Sequence, residues 1–220
     1  MAATNESLVQ PARAQAVWVS LWGITMTWVF FQAARLGDDV ARSGLGSYFL
    51  SAGDSSFRQL LNLWLACMTC LLPLLLVTVA VCLIGAMPGD SDQARMWVIL
   101  NLQYSILFLL VTMPLLFLAI ALGSRLGGAV GYIVPMAMLL YGLYGVDHLA
   151  TMASSGQAAV FNWLYILSPH YHLADLTERL IFKHGSMIWG ELFQIVGYFV
   201  GLGMVLSSFS ALYFRAKSAV

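Results

Sequence analysis

Charged residues interrupt this chain so rarely that six stretches contain no Asp, Glu, Lys or Arg: residues 14–34, 59–89, 96–124, 126–146, 148–174 and 192–214. Each is at least as long as the roughly 20 apolar residues that cover about 30 Å of hydrocarbon at 1.5 Å per residue. In lipid a helix satisfies its own backbone hydrogen bonds, so the pattern predicts membrane-crossing helices. The fifth stretch differs from the others. It holds Ser154, Ser155, Gly156, Gln157, Asn162, Ser168, Pro169, His170 and His172, and its apolar run at 158–167 is only half a membrane thick. Such a run suits a re-entrant or interfacial segment.

The expected fold is an all-α integral membrane protein. Five transmembrane helices are expected near residues 14–35, 60–87, 96–122, 127–149 and 188–214, with a re-entrant or interfacial hairpin at 157–183 before the last span. A polar tail, 1–13, precedes a single transmembrane domain, 14–217. The first apolar run follows a polar segment and lacks a small-residue cleavage site after it, so it is expected to stay as a span. Pro73, Pro114 and Pro135 fall inside spans, where they are expected to kink the helices. Gly197 and Gly201 in the last span form a small-xxx-small pair of the kind that lets helix backbones approach closely.

Composition agrees with this picture: 60% of residues are hydrophobic and 9% charged, against about 25% charged in soluble domains. A water-soluble core is excluded. The net charge of zero points to neither a nucleic-acid partner nor a polybasic membrane-surface role. Basic residues in the connections set the orientation. With the N-terminus outside, the cytoplasmic side carries Arg35, Arg42, Arg58, Arg125, Arg215 and Lys217, and the outside carries Arg13, Arg95, Arg179 and Lys183. The expected orientation is N-outside and C-inside. Cys67, Cys70 and Cys82 share one apolar stretch and read as small packing residues, although the spacing of Cys67 and Cys70 also matches redox and metal motifs.

Two polar regions hold the candidate chemistry. Between the first two spans, Val40, Leu45, Tyr48 and Phe49 can form an apolar side and Asp38, Asp39 and Arg42 a charged one, with residues 51–56 capping the next helix. Such an element is either an interfacial loop helix or a docking helix for a cytoplasmic protein. The second region holds His170, His172, Asp175, Glu178 and His184, enough ligands for zinc or an axial haem histidine. The same residues also suit an interfacial helix start after Pro169, with Leu176, Leu180 and Ile181 facing lipid or protein. Asp147, His148 and Glu191 sit at span ends, where hydration relieves their cost. Nucleotide-binding, Gly-x-Ser-x-Gly and His-Glu-x-x-His motifs are missing from the sequence, so the chain is not expected to be an enzyme.

Residues 31–51, in which a span leads into Asp38, Asp39, Gly44, Tyr48, Phe49 and a Leu50-Ser51 ending, resemble the cytoplasmic coupling segment (37–57 here) of type-2 ATP-binding-cassette permeases. Residues 165–180 resemble the Leu-Ser/Leu-Pro-His-x-x-x-x-Asp-Leu motif of that family through Ser168, Pro169, His170 and Asp175, with His172 inside the interval. The glycine-containing last span and its basic end, Arg215 and Lys217, extend the similarity over residues 24–217. The resemblance implies an exporter-type transmembrane subunit in a bacterial inner membrane, paired with a second permease subunit, with ATP and Mg in a separate cytoplasmic ATPase and no cofactor in this chain. The family usually has six spans, and its coupling segment continues into a proline and a basic pair. Here the span that would precede residue 14 is missing and residues 51–58 replace that pair, which implies a shortened or degenerate subunit. A haem- or metal-handling redox protein using His170 and His172, and a non-transporting membrane scaffold, are the alternatives.

Overall fold

The computed structural model describes residues 3–154, 159–181 and 185–214, all helix, turn or irregular connection with no strand among them. Five helices are long and apolar enough to cross a membrane: Gln10–Arg42, Ser56–Gly85, Ser91–Leu126, Gly128–Ser154 and Trp189–Tyr213. The protein is a multi-pass, all-α membrane protein.

The first rod consists of α1 (Ala3–Ile24), one π turn (Thr25–Val29) and α2 (Phe30–Arg42) without a break. A short helix, α3 (Leu45–Ser51), leads to α4 (Ser56–Gly85) and then α5 (Ser91–Leu126). The fourth rod is α6 (Gly128–Leu140), a second π turn (Tyr141–Gly145) and α7 (Val146–Ser154). After it come α8 (Ala159–Leu167), a 3-10 turn (Tyr171–Ala174), α9 (Thr177–Ile181) and α10 (Trp189–Tyr213). The long helices run through Pro11, Pro73, Pro114 and Pro135.

The axis of the bundle is α5, which packs against α2, α4, α6 and α10. Its most apolar window is 67% buried, against 17% for α10, so α5 is enclosed by protein while α10 keeps most of its surface for lipid or another chain. At 36 residues it is about 54 Å long, longer than the hydrocarbon by about 24 Å, and it emerges at both ends. Small residues set the closest approaches. A Cβ on Gly37 would lie 2.2 Å from Ile120 O, one on Gly123 2.2 Å from Ala34 O, and one on Gly131 2.5 Å from Gly123 N, so α2, α5 and α6 meet almost backbone to backbone. Around Gly197 and Gly201, by contrast, nothing lies within 4 Å of such a carbon, and the expected close approach through that pair does not occur within the subunit.

The connections order the two ends. Asp90 caps α5 by accepting from Gln93 N at 3.2 Å, and Arg13 reaches Gly85 O at 3.4 Å, so the start of α1, the end of α4 and the start of α5 share one end. At the other, Ser55 caps α4 by accepting from Arg58 N, and the Arg125 guanidinium lies 4.6 Å over the Tyr213 ring. That end gathers α3, the end of α5, the start of α6 and the end of α10.

Candidate functional site

At the α5-start end the hairpin residues are joined to the bundle by a buried polar network. Its centre is Tyr104, about 20 Å along α5 from Ser91. The Tyr104 ring stacks on Trp18 with centroids 3.8 Å apart, and its hydroxyl accepts from Trp22 Nε1 at 3.0 Å. The same hydroxyl donates to Asp175 Oδ1 at 2.6 Å and lies 3.0 Å from Thr177 Oγ1. Thr177 adds its backbone N–H and its hydroxyl to the same carboxylate oxygen, folding the chain tightly ahead of α9. Trp18 Nε1 donates to Asn101 Oδ1, Asn101 Nδ2 to Trp97 O, and Trp97 Nε1 to Cys82 O. Every indole here buries an apolar body and finds an acceptor for its N–H, as a tryptophan within a bundle requires.

The turn itself is seated on the second π turn. Ser168 spends its hydroxyl proton on Leu164 O, so Tyr141 donates to it at 2.8 Å. Gly142 leaves room for the turn: a Cβ there would fall 2.4 Å from the Tyr171 ring and 2.6 Å from Pro169 O. Tyr171 is buried and lies parallel to Phe199 of α10, 6.2 Å between centroids. Burial and the neighbouring Tyr198 push the Tyr171 phenol up, and the hydroxyl has no partner. His170 donates its backbone N–H to Tyr198 OH at 3.0 Å, and its ring meets Tyr165 and His172 edge to face. Burial, with His172 adding to it, holds His170 below the usual histidine range. His172 Nδ1 is buried without a partner. Further along, the Gln103 carboxamide exchanges two hydrogen bonds with the Met187 backbone and fixes the lead-in to α10.

Among the described residues no three His, Cys, Asp or Glu side chains gather as a metal-holding group. His170 and His172 are neighbours, whereas Asp175 is turned to Tyr104 and Thr177. His184 lies outside the described residues, as do 157–158 and 182–183 of the expected hairpin. Leu176 and Leu180 are buried in protein, and Glu178 is exposed. Arg179 meets Glu191 at 3.3 Å, while Asp147 and His148 are exposed. Cys67 and Cys82 are buried and Cys70 is exposed, all three free. Tyr104, which bonds Asp175, and Trp22, which bonds Tyr104, were not among the residues read as functional from the sequence; their signal is a polar aromatic in the middle of an apolar stretch.

The other end presents α3. The expected single amphipathic element is in fact two pieces, because the first helix does not stop near residue 35. Past the apolar run, Arg35 pairs with Asp39 at 3.6 Å and Asp38 with Arg42 at 2.7 Å, and such i,i+4 pairs suit a helix surface in water. Asp38, Asp39 and Arg42 therefore ride on the last turns of α2. Gly44, with φ of 72°, breaks the helix, and Gly53, with φ of 93°, ends the connection beyond α3. Both occupy the left-handed region that a side chain disfavours. Between them Leu45, Tyr48, Phe49 and Leu50 are exposed, Tyr48 at 66%, and Phe57 at the head of α4 is exposed too. The Tyr48 and Phe49 rings meet edge to face at 5.7 Å. Gln59 ties α3 to α4 by donating from Nε2 to Gly46 O at 3.2 Å.

The bundle thus carries an aromatic platform at one end and a turn bonded into its core at the other. No family model, no curated protein and no solved structure matches the chain.

Proposed function

We propose that the chain is the transmembrane permease subunit of an ATP-binding-cassette exporter, resident in a bacterial inner membrane. The observation that carries this reading is the separation of two devices across one bundle. A short aromatic helix, α3, hangs between two left-handed glycines at one end, and a non-spanning turn is bonded to the central helix at the other. Non-helical backbone at membrane depth needs protein or a water-filled cavity around it, and a pathway between two permease subunits supplies such a cavity. An exposed apolar platform beside charged helix turns needs a partner surface or the membrane interface to cover it.

In this reading a separate cytoplasmic ATPase binds ATP and Mg, and its dimer closes on ATP. Docked on α3, it moves that helix about Gly44 and Gly53, and the motion passes through α2 and α4 to α5. The bundle then shifts population between inward-open and outward-open states. Asp38, Asp39 and Arg42 flank the docking helix, whereas Ser168, Pro169, His170, His172 and Asp175 gate the outer end. This chain contributes no catalytic residue.

The test is purification of the tagged full chain from its native membrane, with bound proteins identified by mass spectrometry. A stoichiometric ATPase bearing a phosphate-binding loop is expected, and Tyr48→Ala with Phe49→Ala should release it while the chain stays folded in detergent. Wild-type chain without an ATPase would overturn the proposal. Stoichiometric haem or zinc lost on replacing His170 and His172 by Gln would instead favour a metal-handling protein.

A further inference from the structure

Between the first rod and α4 a cleft of about 330 Å³ opens on the outside of the bundle. Trp28, Gln32 and Leu36 wall one side and Ala66, Cys67 and Cys70 the other, with Trp28, Ala66 and Cys70 exposed. Its depth follows from α5. Trp64 Nε1 donates to Met113 O at 3.1 Å, which sets this part of α4 level with a residue about 14 Å along α5 from Tyr104 and about 18 Å from Arg125. The cleft therefore faces the bilayer near its middle and runs from there toward the α3 end.

Hydrocarbon is the solvent at that depth, and every wall but Gln32 suits it. No hydrogen bond reaches the Gln32 carboxamide from the described residues. Unlike Gln59 Oε1 and Thr25 Oγ1, its polar atoms are not sealed inside protein. A bare amide open to lipid has no water to pair with, so the occupant of the cleft must bring a polar group to Gln32.

Both walls change polarity in the same direction. On the first rod Trp28, Gln32 and Arg35 follow one another at helical spacing, and on α4 Cys70, Ala66, Asn62 and Arg58 do so at i,i+4, which keeps each set along one side of its helix. Each wall passes from less polar side chains at mid-depth, through one carboxamide, to one arginine toward the α3 end. Arg35 pairs with Asp39 at 3.6 Å and Arg58 with Asp54 at 3.2 Å, and the two arginines are 63% and 72% exposed. Exposed pairs of this kind contribute little, so both guanidiniums can turn to a phosphate, for which their planar fork is suited. Hydrocarbon, ester carbonyl and phosphate stand in that order in a glycerophospholipid. A plain hydrocarbon would leave Gln32 unmet, and a water-soluble anion would not fill the cleft at mid-depth.

We propose that the cleft holds one glycerophospholipid of the leaflet at the α3 end. An acyl chain lies between Trp28 and Cys70, an ester carbonyl accepts from Gln32 Nε2, and the phosphate sits between Arg35 and Arg58. The lipid ties together the two spans that α3 connects. This site needs only the multi-pass fold and stands apart from the permease reading.

The test is native mass spectrometry of the full chain purified in mild detergent. Wild type is expected to retain one phospholipid per chain. Ala66→Trp, which fills the cleft from an exposed position, should lower retention at least tenfold, and Gln32→Leu, which removes the polar contact without adding volume, at least threefold, both with intact helical signal. In vesicles of phosphatidylethanolamine and phosphatidylglycerol, a phosphatidylethanolamine with a diazirine midway along one acyl chain should label the peptides holding Trp28 and Cys67 above the exposed α10 segment from Val200 to Val205. Wild type without retained lipid, retention in Gln32→Leu equal to wild type, or label spread evenly over all lipid-facing helices would overturn the site. A lipid-free dimer that Ala66→Trp dissociates would also overturn it and give the cleft to a second copy.

Discussion

Tyr104 meets Trp22, Asp175 and Thr177 at a single phenolic oxygen, inside a helix otherwise built to be enclosed. Tyr104→Phe keeps the ring and its stacking on Trp18 but strands the Trp22 N–H and removes a donor from Asp175. The expected loss is about 1–3 kcal/mol, seen as a lower melting temperature in detergent with the helical signal intact. An unchanged melting temperature would mean that the hairpin is held elsewhere. His170 gives a pH signature. Its folded pKa is lowered by burial and by His172, so well above the ordinary value of about 6.5 it is neutral in both states and stability is whole. As pH falls below about 6.5 the unfolded chain takes up the proton first, and stability drops until the lowered folded value is passed. His170→Gln should flatten the fall in melting temperature over that window; an equally steep fall in the variant would assign it to other groups.

At the scale of elements, the glycines separate what was legible from what was not. Gly197 and Gly201 stand out in the sequence by their spacing, yet within the subunit their faces are open. The real close approach is made by Gly37, Gly123 and Gly131, which belong to three different helices, and no spacing within one helix reveals a junction between three. Gly123→Val should therefore disrupt the bundle, costing at least the 1–3 kcal/mol of a strained overpacked site, while Gly197→Val should leave the melting temperature of the monomer unchanged. Equal effects at both positions would contradict this packing. Five spans and the interrupted fifth stretch were legible because absent charges mark lipid directly. The π turns were not: Tyr141–Gly145 widens the helix where Gly142 receives Tyr171 and Pro169, a tertiary demand that leaves no periodic trace. The extension of the first helix to Arg42 was hidden because Arg35 ends the apolar run. The i,i+4 spacing of Arg35 with Asp39 and of Asp38 with Arg42 is the sequence signal that marks it.

For the whole molecule, the open issue is which end faces the cytoplasm, and the helix ends now group the charges. Arg35, Arg42, Arg58 and Arg125 lie at the α3 end, and Arg13, Arg95 and Arg179 at the hairpin end; Arg215, Lys217 and Lys183 fall outside the described residues. Four against three decides little by itself, since orientation responds to the excess of Lys and Arg in short loops. The Arg125–Tyr213 contact fixes the end of α10 at the α3 end. The sequence tally of six basic residues against four leaves the α3 end expected inside. Ser43 and Ser91 are both exposed, one at each end of the bundle, and they make a direct measurement possible. In a variant free of Cys67, Cys70 and Cys82, a membrane-impermeant thiol reagent applied to intact cells should spare Ser43→Cys and label Ser91→Cys. The opposite labelling would put α3 outside, beyond the reach of any cytoplasmic ATPase, and would end the permease reading.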